Sequence, residues 1–241
     1  MKLVTWNCQG AFRKKAAAIL LHKPDILVVQ ECEHPDKLIF GSETPKPNDV
    51  LWFGDNKHKG LGVFSYGVHR FQIIDKHNQD LKIVLPVLVS GGKVDFTLFA
   101  IWANNRDDPD GQYVEQIWKA IHHYDEYLSG LSILTGDFNS NTIWDKPRRI
   151  GNHTAVVKKL FEKNIHSIYH KHFNQEQGKE KHPTFYLYRN KTKPYHMDYC
   201  FSSGELLEKV KSIKVGTFKK WIALSDHTPL MVEFEMGNRD K

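Results

Sequence analysis

The stretch Pro24-Asp25-Ile26-Leu27-Val28-Val29-Gln30-Glu31 decides the fold. Its centre is apolar without alternation and rich in β-branched residues, the pattern of a strand covered on both faces. Such a strand needs a second layer packed over each side. The run ends in a polar group, Gln30-Glu31-Cys32-Glu33, so acidic side chains stand at the strand terminus.

On the N-terminal side, Leu3-Val4-Thr5-Trp6 reads as a first strand running into the polar turn Asn7-Cys8-Gln9-Gly10. The spacing predicts a helix over 14–22, closed by Pro24. On the C-terminal side, residues 51–54, 62–65, 71–74, 83–89 and 96–102 are short β-like runs separated by Gly, Asn and Asp, and they read as a meander. Val114, Ile117, Trp118, Ile121, Tyr124 and Leu128 recur at helical spacing, which predicts a helix over 113–128 ended by Ser129-Gly130. Residues 131–134 form a buried strand leading into Thr135-Gly136-Asp137-Phe138-Asn139. Residues 155–161 read as helical, 184–187, 199–201 and 231–234 as β, and the polar stretch 174–181 as the most mobile loop. Hairpin strands mixed with helices indicate α+β packing rather than a run of βαβ units.

Of 241 residues, 40% are hydrophobic, enough for one sizeable core and short for two, so a single domain over 1–241 is expected. The formal charge of +6 favours polyanionic partners, nucleic acid or an anionic membrane surface, without choosing between them. Cys8, Cys32 and Cys200 are odd in number, lack disulfide-like spacing and lie in or beside apolar runs, so they read as buried thiols of a reducing compartment. The sequence starts without an apolar leader, and no segment is long and apolar enough to span a bilayer. A soluble, cytoplasmic monomer that does not engage a membrane is the expectation.

Four short polar groups sit at the ends of apolar strands, where a rigid sheet can fix side chains. They are Trp6-Asn7 with Gly10, Gln30-Glu31, Gly136-Asp137-Phe138-Asn139, and Ser225-Asp226-His227. Taken singly, Gln30-Glu31 and Asn7 read more readily as ordinary strand termini, because polar side chains there commonly mark a turn; Gly136-Asp137-Phe138-Asn139 is more specific, and a turn stays credible there and at Ser225-Asp226-His227. A lone His is more often structural than catalytic. The occurrence of all four in one chain, each behind a strand, points to a site.

In these groups, with residues 24–31, Gly60-Leu61-Gly62-Val63 and Met197-Asp198-Tyr199, the chain resembles the endonuclease/exonuclease/phosphatase superfamily along nearly its whole length. Within it the wording is most similar to the exonuclease III and abasic-site endonuclease branch. The resemblance implies a four-layer α/β-β/α sandwich, two mixed β-sheets packed face to face with helices outside and a site in the cleft at one edge. It also implies a Mg²⁺-dependent phosphodiesterase, with Mn²⁺ able to substitute, that acts on nucleic acid and foremost on DNA. Hydrolysis of a phosphodiester needs neutralised nonbridging oxygens, a positioned water and help for the leaving oxygen. Carboxylates suit Mg²⁺, a hard cation that prefers oxygen ligands.

By the same resemblance, Glu31 is the first metal ligand, with Asn7 and Asp226 contributing directly or through water. Asp137 would orient or deprotonate the attacking water, and Asn139 would hold that water and a phosphate oxygen. Asn7 would also fix the Asp137 carboxylate, while His227, polarised by Asp198, would donate to the phosphate. Without the resemblance, Asp198 would read as an ion-pair partner of a nearby Lys or Arg.

One position departs from the pattern. Where abasic endonucleases carry Tyr and other branches His, residues 99–102 place Trp102, whose indole N–H donates a hydrogen bond but has no accessible proton equilibrium. Asn105, ahead of Asn104, is expected to contact phosphate. Phe185, Tyr195 and Met197 fall where the resemblance implies an apolar pocket for a flipped sugar, or a stacking surface for an unpaired base. They serve equally well as sheet packing, and Tyr195 stands where the abasic enzymes have Trp.

Basic side chains at Arg13, Lys14, Lys15, Lys57, Lys59, Arg106, Arg148, Arg149, Arg189, Lys191 and Lys193 would track a phosphate backbone, although such charges usually form only a solvated face; the loops around Lys57-His58-Lys59 and Arg189-Asn190-Lys191 are the better candidates, because they adjoin the motifs that carry the resemblance. Two further readings stay open. One is a phosphatase or phosphodiesterase with the same catalytic set acting on a lipid, an inositol phosphate or a small phosphoester. The other is a binding module that kept the fold without its chemistry, against which stands the filling of every expected catalytic position.

Overall fold

The computed structural model describes residues 1–81, 84–104, 113–146, 149 and 151–237. In chain order the strands begin with β1 (Lys2–Asn7), β2 (Ile26–Cys32), β3 (Asp49–Asn56), β4 (Lys59–Ser65), β5 (Arg70–Ile73), β6 (Val84–Ser90) and β7 (Phe96–Trp102). They continue with β8 (Ser132–Asp137), β9 (Ile165–Ser167), β10 (Phe185–Tyr186), β11 (Pro194–Tyr195), β12 (Asp198–Ser203), β13 (Val210–Val215) and β14 (Leu230–Phe234). The helices are α1 (Ala16–Leu20), α2 (Val114–His123), α3 (His153–Glu162), α4 (Ile168–Phe173), α5 (Gly204–Leu207) and α6 (Phe218–Trp221).

Two six-stranded sheets result, ordered β13-β14-β1-β2-β4-β3 and β5-β6-β7-β8-β12-β9, with β10 and β11 forming a separate ribbon. Each large sheet is antiparallel except at one central pair, β1 with β2 and β7 with β8. Side chains alternate across a strand, so every central strand feeds two cores. From β2, Ile26 and Val28 enter the space between the sheets, and Leu27 and Val29 point away from it. From β7, Leu98 and Ala100 point inward, and Phe99 and Ile101 outward.

Phe12, Ala16, Ile19 and Trp221 cover the outer face of the first sheet. Ile117, Ala120 and Ile121 of α2, with Val156 and Leu160 of α3, cover the outer face of the second. Three cores between four layers make the α/β-β/α sandwich, and the unbroken apolar run of residues 26–29 is the local signature of a strand shared by two of them.

The differences from expectation have local causes. The helix expected over 14–22 is a 3-10 turn, Phe12–Lys14, joined to a five-residue α1 through Lys15 at φ −124°. The helix over 113–128 ends at His123, and Tyr124 at φ −97° leads into a 3-10 turn whose Leu128 still reaches the core. Residues 51–102 are not one meander: the β3–β4 hairpin joins the first sheet, and β5, β6 and β7 join the second. Apolar pattern marks a strand's faces but not its partner.

The polar stretch 174–181 is tied down. Buried Glu180 accepts from His170 Nε2 at 3.0 Å and from Gly178 N at 2.9 Å, and Lys181 N donates to Tyr169 Oη and Gln175 Oε1. Cys8, Cys32 and Cys200 are buried free thiols. Among the described residues no helix is long and apolar enough to cross a membrane.

Candidate active site

The parallel pairs bring four strand ends to one edge. Asn7 lies beside Gln30 at the ends of β1 and β2, and Trp102 beside Asp137 at the ends of β7 and β8. Strand β12 runs antiparallel to β8, so it starts at that edge, with Asp198 opposite Asp137. Strand β14 runs antiparallel to β1, so the segment before it, carrying Ser225, Asp226 and His227, arrives there too. Alternation does the rest: Leu3 and Ile133 face the inter-sheet core, so Asn7 and Asp137 share that face at the rim. Their side chains meet across the two sheets, Asn7 Nδ2 donating to Asp137 Oδ2 at 2.9 Å.

Alternation alone would turn Glu31 away from the cleft, because Val28 and Gln30 sit on the inward parity. A register shift in the β2–β4 pairing between Val29 and Cys32, with Glu31 at φ +59°, swings its carboxylate inward. A left-handed Glu costs roughly 1–2 kcal/mol, the scale of strain that binding sites store. Gly136, at φ +141°, must be glycine, since a Cβ there would run into the Ile101 carbonyl of the neighbouring strand.

At the floor, Asp137 is fully buried. Its Oδ2 accepts from Asn7 and from Asn139 Nδ2 at 3.1 Å, and its Oδ1 from Asn139 N at 2.9 Å. His227 Nδ1 is 2.8 Å from Asp198 Oδ2, and its Nε2 is 4.0 Å from Asp137 Oδ2. The backbone around this pair is locked. Thr184 Oγ1 accepts from Met197 N and Asp198 N, Ser225 Oγ donates to the Asn7 carbonyl at 2.7 Å, and Trp6 Nε1 donates to the His227 carbonyl at 3.1 Å.

Burial pushes the Asp137 carboxyl up, and the Asp198 charge adds to the shift. Burial alone would lower the His227 imidazole, but the Asp198 and Asp137 carboxylates outweigh it and raise the ring above its ordinary value. Burial also raises Asp226, with Glu31 contributing. The site therefore pairs a cationic ring with an acidic floor, a combination suited to stabilising negative charge that develops nearby.

Among the described residues, Asp137, Asp198 and His227 bring ligand atoms within 4.8 Å of one another, but the hydrogen bond to Asp198 already engages His227 Nδ1. Glu31 and Asp226 line the cleft directly and offer only carboxylate oxygens, the donor chemistry of a hard divalent cation. Those two residues fit such an ion. Asn7 Oδ1 accepts from Gln9 N, so the Asn7 amide faces Asp137 and Glu31 as a donor, at 2.9 and 3.5 Å.

The cleft encloses about 650 Å³, and Trp102 and Phe185 form part of its wall. Trp102 is only 5% exposed. The Phe185 ring lies 4.7 Å from that of His227. Tyr195 packs instead between Phe185 and Trp144, at 6.3 and 5.0 Å, and Met197 is buried and does not line the cleft. Asn105, Arg106 and Arg148 lie outside the described residues. Of the basic side chains, Lys59 reaches the cleft. Arg13 pairs with Glu33, Lys57 with Asp36, and Arg149 with Glu115, while Arg189 binds Gln9.

Gln9 escaped the sequence reading, although it is central: its Nε2 donates to Asp226 Oδ2 at 2.8 Å. Its place two residues beyond Asn7, in a turn closed by Gly10, was the available signal. Tyr113 and residues 53–56 also line the cleft and carried no local mark.

The family profile described as "Endonuclease/Exonuclease/phosphatase family" matches residues 4–227. No curated protein matches the chain significantly. Among solved structures, the 3′ phosphatase NExo from Neisseria, bound to a product DNA hairpin, is similar with a TM-score of 0.68 and 18% identity, covering 98% of this chain and 99% of that one. An AP endonuclease from Archaeoglobus fulgidus has a TM-score of 0.65 and 18% identity, over 98% of this chain and 99% of that one. The 3′-5′ exonuclease NExo from Neisseria meningitidis has a TM-score of 0.66 and 20% identity, over 98% and 100%. These likenesses show a common fold. Since the profile spans every polar group assembled at the cleft, from Asn7 to His227, the chain belongs to the endonuclease/exonuclease/phosphatase family and is an enzyme of phosphoester hydrolysis.

Proposed function

We propose that the protein is a Mg²⁺-dependent phosphodiesterase that cleaves DNA, working as a single-domain monomer. The observation that carries this reading is the meeting of Asp137, Asn139 and His227 at one cleft floor, with Glu31 and Asp226 beside them. A divalent cation held by Glu31 and Asp226 supplies, when bound, neutralisation of the phosphate oxygens. Asp137, steadied by two amides and raised in proton affinity by burial, accepts a proton from the attacking water. Asn139, anchored to the Ala103 carbonyl at 3.0 Å, positions that water. His227 donates through Nε2 to a phosphate oxygen while Asp198 holds its ring at Nδ1.

Trp102 forms cleft wall and offers at most an N–H donor, so the leaving oxygen takes its proton from His227 or from water. A net charge of +6 supports a polyanionic substrate, as does the DNA hairpin bound to the similar Neisseria enzyme.

The test is a digestion panel in Mg²⁺ against EDTA, with intact duplex, abasic duplex, recessed 3′ ends, single-stranded DNA, RNA, a phosphomonoester, sphingomyelin and an inositol phosphate. Cleavage of DNA is expected with Mg²⁺ only, and Glu31→Gln and Asp137→Asn should each lower it by about 10³-fold or more with folding retained. Wild-type rates in both variants would sink the assignment. Faster turnover of sphingomyelin or an inositol phosphate than of any DNA would move the protein to the lipid-directed side of the family.

A further inference from the structure

Lys59 opens β4 immediately after the turn of the β3–β4 hairpin, where its backbone pairs with Asn56. A lysine at such a place ordinarily extends into water. Here Nζ lies 2.8 Å from Glu31 Oε2 and 5.7 Å from the centre of the Trp102 ring. The other cleft carboxylates are held differently: Asp226 by the Gln9 amide, Asp137 by Asn7 and Asn139, Asp198 by His227. Among the described residues, the lysine or arginine ion pair made to any of these four acids is the one between Lys59 and Glu31. The Trp102 face, in the place of a phenol or imidazole, gives the ammonium a second site of attraction.

We propose that Lys59 is a tethered stand-in for the divalent cation: it neutralises Glu31 whenever no ion is bound there and is displaced when the ion binds. The inference rests on the reading of Glu31 as a metal ligand. An ammonium and a divalent ion cannot share one face of a carboxylate, so each competes with the other. Metal binding to the substrate-free enzyme is therefore weaker than the carboxylates alone would give. A substrate phosphate that draws the ammonium away from Glu31 favours loading of the ion, and by linkage the ion favours the phosphate.

Mn²⁺ binding to the substrate-free protein, followed by the paramagnetic resonance signal of the free ion, tests this in wild type, Lys59→Met, Lys57→Met and Glu31→Gln. Circular dichroism checks that each variant is folded. Lys59→Met keeps the apolar stem and should bind Mn²⁺ about three- to tenfold tighter. Lys57→Met, which removes a charge paired with Asp36 rather than Glu31, should stay within about twofold. Unchanged or weaker binding by Lys59→Met, while Glu31→Gln still abolishes binding, overturns the stand-in alone. Equal tightening in both lysine variants reduces the effect to general repulsion and also overturns it. Binding that Glu31→Gln does not weaken removes the ion from Glu31, and with it both this inference and the metal assignment beneath it.

Discussion

In the proposed reaction, Asp198 acts only through another residue. It holds the His227 ring by Nδ1 and supplies the charge that raises the imidazole. Its Oδ1 is buried and makes no hydrogen bond among the described residues. Asp198→Asn preserves the shape and deletes the charge. We expect kcat on DNA to fall about 10²- to 10³-fold, with KM changed less than about threefold and an unaltered circular dichroism spectrum. A variant with wild-type kcat would mean that the ring does not act as a charged donor. Asn7 is the complementary case, one amide nitrogen donating to Asp137 at 2.9 Å and standing 3.5 Å from Glu31.

Between residues and fold, the β3–β4 hairpin carries Lys57 and Lys59, which the sequence marks among the better candidates for phosphate contact. Residues 53–56 and Lys59 wall the cleft, and Lys57, at the tip, pairs with Asp36 while both stay largely exposed. An exposed pair contributes little, so Lys57 is free to exchange its partner for a phosphate. Lys57→Glu should raise KM for duplex DNA several-fold and lower the slope of log KM against log salt by about one, with kcat retained. An unchanged KM at low salt would take the hairpin tip off the DNA path. What was legible in the chain follows from this scale. Residues 26–29, apolar on every position, announced a strand buried on both faces, and the polar groups at strand ends announced the rim. The left-handed turn of Glu31, the inward course of Lys59 and the buried Glu180 of a polar loop were hidden, because each depends on a bulge or a partner distant in sequence. The assignment of β3–β4 and β5–β7 to different sheets was hidden for the same reason.

Across the whole molecule, the loop carrying Asn139 rests on a buried polar network rather than on a fourth apolar core. His153 Nδ1 meets Ser140 Oγ at 2.8 Å, and Asn141 Nδ2 donates to the His196 carbonyl at 3.0 Å and to Glu180 Oε2 at 3.1 Å. Burial holds His153 and His196 down to about 4, so both are neutral in the folded protein at pH 6. Unfolded, each titrates near 6.5. Their contribution to stability is complete above 6.5 and is lost as pH falls toward 4, because the unfolded chain then binds the extra protons. Burial also lowers His69 and His77, which act in the same direction. Asp137, raised by burial, opposes them over part of the range. Against burial, the His170 hydrogen bond holds Glu180 down to about 2, so its contribution persists through this window and fades only below it. The balance predicts that unfolding free energy from urea titration declines between pH 6.5 and 4.5, each buried histidine accounting for at most about 1.4 kcal/mol per pH unit. His153→Gln and His196→Gln should be less stable at pH 7 and show a shallower decline. Slopes equal to wild type in both variants would mean that these rings accept protons without opening the fold. The loop under Asn139 would then owe nothing to their neutrality.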